Sequence, residues 1–182
     1  MASAQQTYVN VNPPQPTDPD KIEVLEFFSY GCPHCAVLDP MVTEWRKTLS
    51  SDVSFQHVPV AFNAGMKPAQ QLYFALEAIG RDDLHAKVFE AIHQQGKRLF
   101  KEEDIVAWVE NQGVDKAQFQ AAMKSFGVDS KMKRADQLVE GYGIRGTPSI
   151  AVGGRFLTSP AEAGGYQETI DVANELLKMV PR

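Results

Sequence analysis

Apolar and polar positions follow two different periods along this 182-residue chain. Residues 22–28, Ile-Glu-Val-Leu-Glu-Phe-Phe, place apolar side chains on both faces of an extended segment, the pattern of a strand covered on two sides. Val53 to Val60 predicts a second strand, limited near its end by Pro59, which cannot donate to a ladder. Between them, the pattern from Pro33 to about Leu49 predicts a helix. Pro40 inside it removes a hydrogen bond and predicts a kink. Strand, helix and strand form a βαβ unit, for which a right-handed crossover is expected. Residues 1–20 are polar and carry Pro13, Pro14, Pro16 and Pro19, an extended lead-in in which Tyr8-Val9-Asn10-Val11 is a candidate edge strand.

From about Asn63 to Phe126 the spacing becomes three-and-four throughout. One helix runs from Pro68 to Ile79 and stops at Gly80. Asp82 or Asp83 is placed to cap a second through Leu84, Val88, Phe89 and Ile92 to Gly96. A third carries Ile105, Val106, Trp108 and Val109, and Asp115 opens a fourth through Phe119 and Met123 to Gly127. Trp108, Phe74, His85 and His93 read as core of this helical segment. A further helix, about Asp129 to Gly141, leads to a short strand, Ser149 to Val152. Gly153-Gly154 turns it into Arg155-Phe156-Leu157. Gly164-Gly165 precedes a last amphipathic helix, Tyr166 to about Met179. The chain is thus α/β: a βαβ half (1–62), an all-helical insert (63–128) and an α-ββα half (129–182).

A net charge of −5 with no Lys/Arg run argues against a nucleic-acid surface, and no apolar stretch approaches the ~20 residues of a membrane span. Met1-Ala2-Ser3-Ala4 is compatible with the remnant of a removed signal peptide behind an added Met, or with a cloning remnant.

The chemistry concentrates in Cys32-Pro33-His34-Cys35, which holds the only two cysteines. They fall where the first strand breaks at Ser29-Tyr30-Gly31 and the helix begins. A helix N-terminus favours thiolate over thiol, and Pro33 suits the first helical position. Residues at i and i+3 lie about 5–6 Å apart on one helix face, within the roughly 4.4–6.8 Å Cα span of a disulfide. A structural zinc site needs about four ligands, and neither a second Cys pair nor spaced histidines among His57, His85 and His93 supply them, so no metal is expected. A structural staple over so short a loop gains little. Two inert thiols remain the plain alternative. The helix terminus alone gives ~0.3–1 kcal/mol, up to ~2 when partly buried. Strong thiolate stabilisation therefore needs a further donor or cation, for which His34 is the candidate. Glu26 shares a strand face with Val24 and Phe28. It is either a buried acid able to pass the Cys35 proton or an acid at the sheet edge facing water.

The order βαβ, helical insert, ββα, with CxxC after the first core strand and a proline before the third, resembles the thioredoxin fold. The insert, the stretch Leu25 to Cys35 with its Cys-Pro-His-Cys, and Gly143-Ile144-Arg145-Gly146-Thr147-Pro148-Ser149 resemble the DsbA family of thiol:disulfide interchange proteins over nearly the whole chain. The enteric members carry Val where this chain has Thr147. They also carry a Lys, partner of the acid matching Glu26, in the stretch that here reads Phe55-Gln56-His57-Val58. The resemblance implies a thioredoxin fold with a helical insert domain between its halves, and an enzyme whose Cys32–Cys35 pair, with no other cofactor, donates a disulfide to unfolded secreted or periplasmic proteins. It implies a cis Pro148, and a loop of Arg145, Gly146, Thr147 and Pro148 that pairs with an extended client. A nearby apolar groove is expected to include Tyr30, Phe62 and Tyr166. A monomer in the periplasm is implied, reoxidised by a DsbB-like, quinone-linked membrane oxidase. A lone CxxC pair with no further cysteine to misoxidise fits such an oxidising compartment. A reductase of the same fold, or a peptide-binding chaperone module with incidental cysteines, are the alternatives.

Overall fold

The computed structural model describes residues 6–181, so the Met1–Ala4 reading lies outside the described residues. The elements are β1 (Val9–Asn10), β2 (Ile22–Phe28), α1 (Pro33–Arg46), β3 (Val53–Pro59), α2 (Lys67–Ala78), α3 (His85–His93), α4 (Glu102–Asn111), α5 (Lys116–Met123), α6 (Phe126–Tyr142), β4 (Ser149–Val152), β5 (Phe156–Thr158), α7 (Pro160–Ala163) and α8 (Tyr166–Met179). The chain divides into two compact units. One comprises the chain through Phe28, Val37–Val58 and the chain from Val139 onward; the other comprises Ser29–Ala36 and Pro59–Leu138.

The first unit is built on a five-stranded sheet of order β1-β5-β4-β2-β3. β4 lies antiparallel to β2, pairing Val24 with Val152 and Glu26 with Ile150. Gly153 and Gly154, at φ 63° and 71°, turn β4 into β5, and the Arg155 N–H donates to the Val152 carbonyl at 3.2 Å. β2 alternates as a central strand must. Ile22 and Val24 face a core shared with Leu38, Val42 and Trp45 of α1, Ile150 and Val152 of β4, and Ile170, Ala173 and Leu176 of α8. On the opposite face the Phe27 ring meets Tyr142 of α6 at 5.6 Å. Trp45 Nε1 donates to Asn174 Oδ1 at 2.8 Å, tying α1 to α8. The expected edge strand is present as β1, paired with β5.

The second unit is helical. α2, α4 and α5 pack on one another, burying Leu72, Leu76, Ile105, Val109, Phe119 and Met123. Asp115 caps α5, accepting from the Gln118 N–H at 2.8 Å.

Three local expectations need correction. Asp82 and Asp83 do not cap α3; they form a 3-10 turn whose Asp83 pairs with Arg81 at 3.0 Å. That guanidinium holds the Asp83 carboxyl below its ordinary range. Gly127 does not separate two helices. Ser125 ends the preceding turn and its Oγ accepts from the Val128 N–H at 3.2 Å, so α6 starts at Phe126 and runs through the glycine. The helix after Cys32 ends at Arg46, and residues 47–49 tighten into i→i−3 turns. Among the described residues, no helix is long and apolar enough to cross a membrane.

Candidate active site

The segment Ser29–Cys32 joins the end of β2 to the start of α1, and its geometry is set by backbone bonds. The Cys32 N–H donates to the Ser29 carbonyl at 3.2 Å, closing a turn. The Ala36 N–H donates to the Cys32 carbonyl at 3.1 Å as the first helical bond, which makes Cys32 the N-cap of α1. Its side chain behaves as a cap. The Cys35 N–H donates to Cys32 Sγ at 3.1 Å, so sulfur takes the place of a Ser or Asp oxygen. A hydrogen bond to a charged acceptor contributes about 1.5–3 kcal/mol. The Cys35 N–H is one of the helix-terminal donors, so the turn aims part of the terminus effect directly at the sulfur. Cys32 is half-buried and Cys35 is 1% exposed. Pro33 and His34 lie on the exposed side of the first turn.

A cavity of about 310 Å³ opens beside Cys32 within the helical unit, lined by Tyr30, Gly31, Cys32, Val60, Met66 and Phe100 among others. Tyr30, expected in the groove, is in this lining; it is 1% exposed overall and its hydroxyl shares a 2.8 Å hydrogen bond with His85 Nδ1. Phe62 is exposed and not part of this lining, and Tyr166 packs against the core of the sheet unit.

In the sheet unit, Glu26 is 1% exposed on a strand flanked by β4 and β3. The edge position facing water is therefore excluded. Its Oε1 lies 2.7 Å from His57 Nδ1 on β3, and the His57 ring meets Phe55 at 4.9 Å and Phe28 at 5.7 Å. His57 is a residue that sequence reasoning missed. The available signal was strand parity, which puts Val53, Phe55 and His57 on one face of β3. The loop from Arg145 to Pro148 belongs to the same unit. Arg145 and Gly146 are exposed, Thr147 is half-buried and Pro148 is buried. The Thr147–Pro148 peptide is cis, as expected; so is Asn12–Pro13, which was not. Ser149 Oγ donates to the Gly146 carbonyl at 2.9 Å, closing the loop onto β4. Among the described residues no group of three or more His, Cys, Asp and Glu side chains gathers as a metal site.

A family model, the DSBA-like thioredoxin domain, matches residues 23–167. The thiol:disulfide interchange protein DsbA of Bordetella parapertussis is 53% identical over 179 residues, covering 97% of this chain and 86% of the relative. The protein of the same name from Pseudomonas aeruginosa is 35% identical over 178 residues, covering 97% and 84%. A crystal structure of Pseudomonas aeruginosa DsbA superimposes with a TM-score of 0.91 at 35% identity, covering 96% of this chain and 92% of that one.

Proposed function

This chain belongs to the DSBA-like thioredoxin family and is a thiol:disulfide oxidoreductase, and from that premise we propose that it works as a disulfide donor to unfolded, cysteine-containing proteins of the periplasm. In the oxidised enzyme a client thiolate attacks Cys32 Sγ. The Cys32–Cys35 bond breaks, and Cys35 leaves as a thiolate that takes up a proton. The client's second thiol, having lost its proton, then attacks the client sulfur of the mixed disulfide, and Cys32 leaves as a thiolate. The client loses two electrons and two protons; the cysteine pair is itself the redox group. A DsbB-like, quinone-linked membrane oxidase restores the disulfide, and the protein acts as a monomer.

The observation that carries this reading is the Cys35 N–H held on Cys32 Sγ at the start of α1. Whatever stabilises the departing thiolate speeds the second step and favours the reduced enzyme, which makes the disulfide oxidising. For this two-electron couple about 1.4 kcal/mol corresponds to roughly 30 mV. His34, on the exposed face of the same turn, adds a further donor or cation. Glu26, buried and bonded to His57, is suited to take and return the Cys35 proton. The exposed backbone of Arg145 and Gly146, ahead of Thr147 and Pro148, offers an extended client strand-type hydrogen bonds without reading its sequence.

The test is the equilibrium of the Cys32–Cys35 pair against reduced and oxidised glutathione, combined with thiolate absorbance against pH. A donor lies far toward the dithiol form in glutathione buffers that leave ordinary structural disulfides intact. A pair that stays oxidised in those buffers marks a reductase instead.

A further inference from the structure

Two histidines of the helical unit converge on the residue that leads into the redox turn. His85, Phe89 and His93 occupy positions i, i+4 and i+8 of α3 and so form one stripe along that helix. Tyr30 lies against the stripe. Its ring stands 5.3 Å from His85 and 5.1 Å from Phe89, and its hydroxyl shares the 2.8 Å bond with His85 Nδ1. Tyr73 of α2 closes on His85 from another side, ring to ring at 5.5 Å. His93 Nε2 lies 2.7 Å from the backbone carbonyl of Tyr30. A carbonyl only accepts, so His93 is the donor.

The side chain and the main chain of one residue are therefore held separately by two imidazoles from a single helix. Tyr30 is the second residue of the turn closed by the Cys32 N–H on the Ser29 carbonyl. The plane of its peptide sets the direction in which Gly31 and Cys32 enter α1. A buried tyrosine serving the core alone needs one partner for its hydroxyl; a second donor on its carbonyl serves the turn. That donor also draws on the negative end of a peptide dipole only two residues from the sulfur that must carry charge.

We propose that His85 and His93 are positioning residues for disulfide exchange, and that His93, through the Tyr30 carbonyl, helps set how strongly Cys32 is favoured as a thiolate. The inference rests on the reading that Cys32 is the exchanging sulfur. The experiment measures the glutathione equilibrium constant for the parent protein, H93A, H93Q and Y30F, with thermal unfolding recorded alongside. H93A shifts the constant about two- to tenfold toward the protein disulfide, as the loss of one hydrogen bond predicts. H93Q, whose amide still donates, stays within about twofold of the parent. Y30F removes the hydroxyl that bonds His85 and keeps the carbonyl that accepts from His93, so it tests the part of His85 and shifts in the same direction; should H93A fail to fold, H93F, which fills the site without a donor, stands in for it. A parent protein that is not oxidising sinks the donor reading of Cys32. An oxidising parent whose constant is unmoved in H93A, with only the melting temperature lowered, sinks the role of His93, and one unmoved in Y30F sinks that of His85.

Discussion

Replacing His57 by Leu isolates what the buried carboxyl of Glu26 requires. The side chains are 2% exposed for Glu26 and 11% for His57, with 2.7 Å between Oε1 and Nδ1. Removing the imidazole, which packs against Phe28 and Phe55, leaves a carboxyl 2% exposed with that bond gone. If the pair is a neutral hydrogen bond, the orphaned group costs about 1–3 kcal/mol. If it is an ion pair, an uncompensated buried charge costs about 3–5 kcal/mol. With a urea m-value of about 2 kcal/mol/M, these correspond to midpoint losses of roughly 0.5–1.5 M and 1.5–2.5 M. The size of the loss thus reports the protonation of the pair. The two tryptophans fall one in each unit, Trp45 with the sheet and Trp108 with the helices. A Trp108→Phe background therefore leaves Trp45 fluorescence as the reporter of the unit that holds the pair. Adding Glu26→Gln to His57→Leu removes the charge while keeping the shape, and should recover at least half of an ion-pair loss. A His57→Leu loss below about 1 kcal/mol would refute the reasoning.

Cys35→Ser should trap the client as a stable mixed disulfide on Cys32, visible by non-reducing electrophoresis, whereas Cys32→Ser should form no adduct; an adduct on the Cys32→Ser protein would reverse the assigned roles. Gly80 and Gly154 share φ 71°, but a Cβ at Gly80 meets nothing within 4 Å, while at Gly154 it falls 2.2 Å from the Gln15 carbonyl oxygen. Gly80→Ala should cost about 1–2 kcal/mol, the left-handed penalty alone, and Gly154→Ala distinctly more in thermal unfolding; equal costs would mean the Gln15 segment moves aside freely.

The elements read most directly from the sequence were those whose signal is local. Ile22–Phe28 was bounded correctly because its period and its flanking Ser-Tyr-Gly agree. Asp115 announced α5, and the paired glycines at 153 and 154 marked the turn into β5. The chemistry at Cys32 was legible for the same reason, since a helix start, a proline and two thiols lie within four residues. Errors came where one residue type has two uses. Gly127 reads as a stop but sits inside α6, because Ser125 caps the helix two residues earlier. Ser159-Pro160-Ala161-Glu162 is a capped start for α7, with Ser159 Oγ accepting from the Glu162 N–H at 3.2 Å, a helix for which the sequence reading made no assignment. The histidines were hidden for a deeper reason. That His57 meets Glu26 depends on the register of two strands separated by a whole helix, and that His85 and His93 meet Tyr30 depends on how α3 lies against a loop more than fifty residues away. Neither follows from spacing along the chain.

The sheet order has a consequence for assembly. Strand β2 has β3 on one side, and on the other β4, which arrives about 120 residues later in the chain. During vectorial delivery of the polypeptide at about 5–20 residues per second, one row of β2 amides and carbonyls waits some 6–24 s for its neighbour. The helices between, whose contacts are mostly near in sequence, can close during that interval. This central strand, with five apolar residues in seven, is therefore long exposed to improper pairing, and truncation anywhere before Ser149 leaves it with an open, adhesive flank.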